Sequence, residues 1–376
     1  MAFSHYIRSG QKWLRCGYTT GTCAALAAAG AATLLLTGAV PETMALRTPS
    51  GIFVEVPLTD CRMEGTAARC GVVKDGGDDP DVTDGLTVCA AVEKTPAGVA
   101  IRGGEGVGRV TKPGLDQPVG AAAINRVPRE MIRSAVERVC RDAGYSGGLA
   151  VTISVPGGAA AAARTFNPSL GVEGGLSILG TSGIVEPMSE GAIVDTIAVE
   201  LRQAAAVGRR AVVLTPGNYG MDFLTASLPE LTRLPRVKCS NYLGEALDLA
   251  ATEGFRQVLL VGHIGKLVKL AGGIMNTHSR VADCRRELFC AHAALCGAGR
   301  SVCQRLMEQA TTDGCLAVLE EAGLREPVLA GLLSAMQGQL DRRAAGAFAA
   351  GAVVFSNEYG LLGVTRGAEA LLKEWK

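Results

Sequence analysis

What this 376-residue chain lacks narrows its function before any motif is considered. Net charge is almost absent: 37 lysines and arginines meet 36 aspartates and glutamates, leaving +1. A nonspecific nucleic-acid coat needs a strongly basic surface, so that class is excluded, while a local basic pocket is not. The apolar run 24–36 is too short to span a bilayer by itself, and it has neither the flanks nor the cleavage site of a secretory leader. The expectation is a cytoplasmic protein with no membrane partner. The twelve cysteines include no Cys-x-x-Cys pair, so neither a zinc ribbon nor a dithiol redox motif is supported. Reduced thiols are expected, and Cys284, Cys290, Cys296 and Cys303 fall where small apolar packing is the usual role. The glycine-rich stretch 103–112 neither opens a helix as Gly-x-Gly-x-x-Gly nor ends in Gly-Lys-Ser/Thr, so it is a weak nucleotide signature.

What is present is a globular chain, 48% hydrophobic, long enough for two domains with separate cores. Residues 1–14 read as a loose arm. In 1–168 strands come in runs with few helices: 52–58, 67–73, 86–93, 98–102 and 149–155, with helices to about Thr37 and over 127–143. An N-terminal α+β domain is the economical reading. Over 169–376 the pattern becomes strand 176–179, helix 190–207, strand 211–214, helix 243–253, strand 258–261, then helices and a late strand at 352–355. That alternation predicts a Rossmann-like α/β domain with a mainly parallel sheet. Three of these strands end in turns with glycine and a hydrogen-bonding side chain: Thr181 with Ser182, Asn218, and His263. In one parallel sheet the three turns line one edge, where open α/β sheets bind ligands.

The densest of these regions is 258–280. Lys266 and Lys269 sit one helical turn apart, Gly272-Gly273 ends the helix, and Asn276, His278 and Arg280 alternate so that an extended segment puts them on one side. Glycines with cations and histidines suggest an anionic ligand; the plainer alternative is a strand-to-helix connection with solvated lysines. Near the start, Thr19, Thr20 and Thr22 precede an alanine-rich helix and serve either as caps or as ligand contacts. The acidic loop 74–84 lacks EF-hand spacing; it is a solvated turn, a divalent-cation site, a partner for basic groups, or a proton acceptor.

Several phrases resemble one family closely, the cobalt-precorrin-5B C1-methyltransferases of oxygen-independent cobalamin biosynthesis (the CbiD family). They are GYTTGTCAA, VVKDGGDDPDVT, GGEGVGRVTKPGL, RTFNPSLGVEGGLSILGTSGIVEPMSE, TPGNYG, KCSNYLGEALDLA and VLLVGHIGKLVKLAGGIMNTHSRVADCRRE, in order over about 15–290. The chain departs from the family pattern at Asp84, Arg126 and Ser169. The resemblance implies methyl transfer from S-adenosylmethionine to C1 of a corrinoid polycarboxylate, with cobalt belonging to the substrate and no protein-bound metal.

Such a displacement needs in-line placement rather than a nucleophilic side chain. Lys266, Lys269 and Arg280, with Thr19, Thr20, Thr22 and Asn276, are the expected substrate contacts; Arg164 is a further cation of the right type. Gly180, Thr181, Ser182, Gly183, Gly217 and Asn218 are expected at S-adenosylmethionine, with Glu186 either on the ribose hydroxyls or stabilising a helix start. His263 and His278 are candidates to remove a proton, to hydrogen-bond carboxylates, to approach the cobalt, or simply to pack or cap. The domain division assigns corrinoid contacts to 1–168 and S-adenosylmethionine to 169–376, and a homo-oligomer is admitted. A nucleotide-dependent dehydrogenase or kinase and a noncatalytic tetrapyrrole carrier are the competing readings.

Overall fold

The computed structural model describes residues 3–165, 167–168 and 170–375; Phe166 and Ser169 of the motifs above lie outside the described residues. The chain divides into two compact units, Met1–Ser189 and Glu190–Lys376. The mixed α/β character agrees with the sequence reading. The division falls about twenty residues later than expected.

The first unit contains β1 (Tyr6–Ser9), β2 (Lys12–Arg15), β3 (Gly17–Tyr18), α1 (Thr20–Thr37), β4 (Thr43–Arg47), β5 (Phe53–Pro57), β6 (Thr59–Glu64), β7 (Ala67–Val73), β8 (Thr87–Thr95), β9 (Val99–Gly103), β10 (Arg109–Val110), α2 (Arg126–Asp142), β11 (Gly148–Ser154), α3 (Gly158–Ala162), β12 (Val172–Glu173) and β13 (Ile184–Val185). Its main sheet runs β6-β7-β8-β11-β9, antiparallel except for β11 with β9. Alternation puts Ala68, Cys70 and Val72 of β7, Val88, Ala90 and Val92 of β8, and Leu149, Val151 and Ile153 of β11 in the same core as α1 and one stripe of α2. Helix α1 is apolar all round, the composition of a helix buried on every side. It is also long and apolar enough to cross a bilayer, but 78% of its apolar window is buried inside the protein.

Two sequence expectations change here. The loose arm is a hairpin: β1 pairs antiparallel with β2, and Arg15 clamps Asp75 through two hydrogen bonds of 2.6 and 2.8 Å. The strand expected at 176–179 does not join a parallel sheet. It makes isolated bridges, Leu176 to Val107 and Ile178 to Ile124, inside the first unit. A four-residue apolar run reads the same for a strand and for a buried extended segment, so pattern alone cannot separate them.

The second unit contains α4 (Glu190–Ala206), β14 (Ala211–Thr215), α5 (Asn218–Ser227), β15 (Arg236–Lys238), α6 (Leu243–Thr252), β16 (Gln257–His263), α7 (Ile264–Leu267), α8 (Arg285–Leu295), α9 (Arg300–Glu308), α10 (Thr312–Glu321), α11 (Arg325–Ala344), β17 (Ala349–Ser356), β18 (Gly360–Val364) and α12 (Arg366–Glu374). The sheet order is β15-β14-β16-β17-β18, parallel throughout except for β18. Both faces are covered, which is why 258–261 is a continuous apolar run. Val258, Leu260, Ala352 and Val354 enter one core with α4, α6 and α11. Leu259, Val261, Val353 and Phe355 enter another with Leu224 of α5 and Leu371 of α12. The chain moves from β14 outward to β15 and then returns to β16 on the other side of β14. The order therefore reverses between β14 and β16, which is the place where successive loops diverge in open α/β sheets.

Candidate functional site

At the start of α1 the threonine motif is turned inward. Thr19 Oγ1 accepts the Thr22 N–H, Thr22 Oγ1 donates to Gly183 O at 2.6 Å, and Thr20 Oγ1 accepts the Leu179 N–H at 3.0 Å. All three threonines are buried. Gly180, at φ 127°, passes so close that a Cβ would lie 2.4 Å from Thr19 side-chain atoms. Ser182 Oγ bonds within its own turn, to Ile184. The Gly180–Gly183 turn therefore belongs to the first unit, against α1, and not to the parallel sheet; the expectation of three turns along one edge fails with it. Thr181 and Glu186 are the members of this set with exposed side chains.

The acidic loop is internal as well. Asp75 holds Arg15, which keeps its carboxyl below the ordinary range. Buried Lys74 donates to Asp81 at 2.7 Å, and Asp84 accepts the Gly76 N–H. These carboxylates fasten the loop. Among the described residues no group of three or more His, Cys, Asp or Glu side chains is placed to hold a metal. The glycine-rich loop likewise spends its backbone internally: Gly108 N–H donates to Leu176 O and Leu176 N–H to Gly106 O.

The carboxyl edge of the second unit's sheet differs. Helix α5 starts at Gly217 with no side-chain cap, and a Cβ on Gly217 would meet nothing within 4 Å. Its first amides lack a side-chain cap and lie at the positive end of the helix dipole. Two residues earlier, the fully buried Thr215 hydroxyl has no hydrogen-bond partner. Asn218 accepts from Lys238 Nζ at 2.7 Å, linking the ends of β14 and β15. Lys266 Nζ donates to Pro216 O at 2.7 Å and reaches Ser240 O at 3.5 Å. It thus crosses from the end of β16 to the ends of β14 and β15. Burial pulls its pKa below the ordinary lysine value, opposed by the nearby Cys239 thiol and assisted by Lys269.

His263 ends β16 and caps α7: its Nδ1 accepts the Gly265 N–H at 3.0 Å. That bond needs the Nδ1 lone pair, so the neutral ring carries its proton on Nε2. Burial lowers the His263 pKa, and the charge of Asp313 opposes the shift. Phe355 meets the ring edge-on, with centroids 5.8 Å apart. His278 has the same arrangement, with Nδ1 accepting the Arg280 N–H at 3.0 Å. Both histidines therefore present Nε2–H as a donor, which is the hydrogen-bonding role among those left open for them. Taking a proton at Nδ1 would break the cap.

Lys269 does not share the task of Lys266. It is 2% exposed and donates to Thr277 O at 3.0 Å and Ala282 O at 2.7 Å, pinning the segment that follows. That segment is turned rather than extended: Asn276 Oδ1 accepts the His278 N–H, and Val281 N–H donates to His278 O. Asn276, His278 and Arg280 are thus not a simple alternating row. Arg280 is exposed, as is Arg164 in the first unit.

Sequence reasoning missed Tyr219, Lys238, Asp313 and Ser356 at this edge. Tyr219 is 64% exposed beside His263. Ser356 ends β17, and its hydroxyl lies 2.5 Å from Asp313 Oδ1. The strand-end rule applied to the late strand at 352–355 would have found Ser356. Asp313 carries no such signal, because a tertiary contact brings it there.

Comparisons with known proteins agree with the sequence resemblance. The CbiD family profile matches residues 7–187, and that of the CbiD C-terminal domain matches 276–366. A cobalt-precorrin-5B C(1)-methyltransferase of Ruminiclostridium cellulolyticum is 47% identical over 339 residues, covering 90% of this chain and 88% of the relative. One from Alkaliphilus metalliredigens is 40% identical over 98% of this chain and 97% of its own length. One from a Thermoanaerobacter species is 46% identical over 85% and 86%. A solved structure of a cobalamin biosynthesis protein from Archaeoglobus fulgidus aligns with TM-score 0.40 and 29% identity, over 73% of this chain and 86% of that one. With identity this high over nearly the full length of curated relatives, the chain belongs to the CbiD family.

Proposed function

We propose that this protein is a methyltransferase that methylates C1 of cobalt-precorrin-5B in cobalamin biosynthesis, with S-adenosylmethionine as donor and cobalt-precorrin-6A as product. One observation carries the reading: 47% identity over 90% of the chain to a cobalt-precorrin-5B C(1)-methyltransferase. The second unit is read as Rossmann-like, with S-adenosylmethionine in the crevice between the ends of β14 and β16. Support comes from the reversal of strand order, the uncapped start of α5, the open Gly217 and the unpartnered Thr215 hydroxyl.

Gly217 and Asn218 keep their assignment to the donor. Gly180, Ser182 and Gly183 shape the first-unit turn that carries the exposed Thr181 side chain. Lys266, Arg280, His263 and His278 supply donors for ligand carboxylates and carbonyls. Thr19, Thr20, Thr22 and Lys269 hold the scaffold, and Asn276 orients His278. S-adenosylmethionine supplies an electrophilic methyl group, so the protein's part is orientation, worth about 7–11 kcal/mol of barrier at best. A cytoplasmic location suits twelve free thiols.

Isothermal titration with S-adenosylmethionine, NAD and ATP tests the donor. Binding of S-adenosylmethionine alone is expected, and binding of NAD or ATP in its place would overturn the proposal. Labelled methyl appearing in the corrinoid separates the enzyme from a carrier. Lys266→Ala is expected to weaken corrinoid binding more than donor binding.

A further inference from the structure

A corrinoid polycarboxylate presents several acidic arms, and each one that leaves water needs a cation or a set of N–H donors. Beside the carboxyl edge of the second unit's sheet lies a cavity of about 210 Å³ that takes no part in the contacts described above. Asp283, Arg285 and Arg286, where the chain enters α8, form one wall; Gln309, Ala310 and Thr311, just before α10, form the other. Thr312, the next residue, comes within 3.6 Å of the point where a side chain on Gly265 would begin. The second wall therefore lies next to the start of α7, where β16 ends. Ligands of drug size occupy about 300–1,000 Å³. This cavity is smaller, so it suits one acidic arm of a ring whose body lies outside.

The cavity is cationic on balance. Arg285 holds Asp283 through two hydrogen bonds of 2.5 and 3.0 Å, and Lys269 Nζ lies 3.8 Å from the same carboxylate. The Arg285 guanidinium keeps that carboxyl below its ordinary range against the effect of burial, and Lys269 and Arg286 add to the pull. Three cations, Lys269, Arg285 and Arg286, thus stand against Asp283 and the exposed Glu287 of α8, which leaves a net positive charge. Helix α8 starts without a side-chain cap, so its dipole adds to the same potential. The walls are also fixed in place. Lys269 pins Ala282 O at 2.7 Å, Arg286 Nη1 donates to Met307 O at 2.9 Å, and Gln309 Nε2 donates to Arg305 O at 3.0 Å. The bond to Met307 spends one donor of a planar fork whose geometry matches a carboxylate. We propose that this cavity is a subsite for one peripheral carboxylate arm of the corrinoid, recognised by Arg286, with Arg285 locked on Asp283 as part of the wall. The assignment rests on the methyltransferase reading above, which supplies the polycarboxylate substrate. Arg286 is exposed, so an entering arm reaches it without displacing packed side chains.

The experiment uses the full-length protein with three probes: cobyrinic acid as a corrinoid polycarboxylate, its fully methylated ester, and succinate as a free carboxylate. In the wild-type protein, cobyrinic acid is expected to abolish phenylglyoxal modification of Arg286, mapped by tandem mass spectrometry, while the ester leaves it unchanged. Arg366, whose side chain is 86% exposed, is the control that stays reactive throughout. Arg286→Gln is expected to weaken cobyrinic acid binding by about tenfold or more in calorimetry, and to raise KM for the corrinoid with kcat little changed. Arg286→Lys keeps the charge without the fork and should recover part of the loss. Melting temperature and S-adenosylmethionine affinity should stay at wild-type values in both variants. The protection measurement needs no variant, so it decides the case even where Arg286→Gln loses stability. Wild-type cobyrinic acid affinity in Arg286→Gln, or equal modification of Arg286 with and without cobyrinic acid, overturns the subsite and leaves the methyltransferase reading intact. Equal protection by the ester overturns carboxylate recognition. Protection by succinate but not by cobyrinic acid marks a free-anion site and overturns the assignment to a corrinoid arm. A wild-type protein that binds neither S-adenosylmethionine nor cobyrinic acid sinks the methyltransferase reading, and the subsite falls with it.

Discussion

The two units each start a helix at a place where the sequence is rich in small and polar residues, and they use the two starts oppositely. At α1, three threonines and the Gly180–Gly183 turn satisfy one another. At α5, the cap is a glycine with no side chain, and the buried Thr215 hydroxyl nearby is unpartnered. The more elaborate motif is the structural one. A motif with many donors and acceptors in a short span tends to close on itself, because burial of α1 would otherwise leave those groups without partners, at about 1–3 kcal/mol each. The plainer start has no side chain of its own to cap it.

The sharpest way to break this contrast is Gly180→Ala. A side chain there meets Thr19 and forces a residue at φ 127°, so a loss of about 3 kcal/mol in denaturant unfolding is expected, with donor affinity of the folded protein unchanged. A normally stable variant that fails to bind S-adenosylmethionine would return the turn to the cofactor site. Next is Lys269→Ala, which strips the donor from one buried and one part-buried carbonyl and is expected to cost about 2 kcal/mol and to raise amide exchange over 277–282. Lys266→Ala, by contrast, should act mainly on binding.

A smaller effect follows from pH. Burial lowers the pKa values of His263 and His292 below the ordinary 6.5. The unfolded chain therefore binds more protons than the folded one in this range, so stability rises with pH. Their contribution is fully present above about 6.5 and is lost as pH falls below it. Unfolding free energy measured at pH 7.5 and 5.5 should show the decline, and His292→Gln should reduce it. The smallest stability effect belongs to Gly217→Ala. Its backbone is extended and its surroundings open, so unfolding should shift by less than about 0.5 kcal/mol while S-adenosylmethionine affinity drops in calorimetry.

Much of the fold was legible in pattern. The continuous run 258–261 announced a strand buried on both faces, and the helices at 126–142 and 190–206 came within a residue or two of their expected limits. The hairpin of β1 and β2 was not legible, because its partner for Arg15, Asp75, lies sixty residues away. The run 176–179 misled, since apolar character states that a segment is buried and not what it pairs with. At the candidate site, Gly217, Asn218, His263 and Lys266 were legible as the ends of alternating strands. Asp313 was not: it sits beside His263 only because β17 pairs with β16 and carries Ser356 to the same edge.

The sequence by itself therefore determined the family, the two-part architecture and the strand ends that carry hydrogen-bonding side chains, because periodicity and motif are local properties of the chain. Tertiary structure decided which of those groups remain available. Thr19, Thr20, Thr22 and Lys269 were spent on the scaffold, and His263 and His278 were set as donors by backbone amides two residues on. A polar side chain's function depends on whether its own protein satisfies it first, and that is settled by packing between segments far apart in sequence.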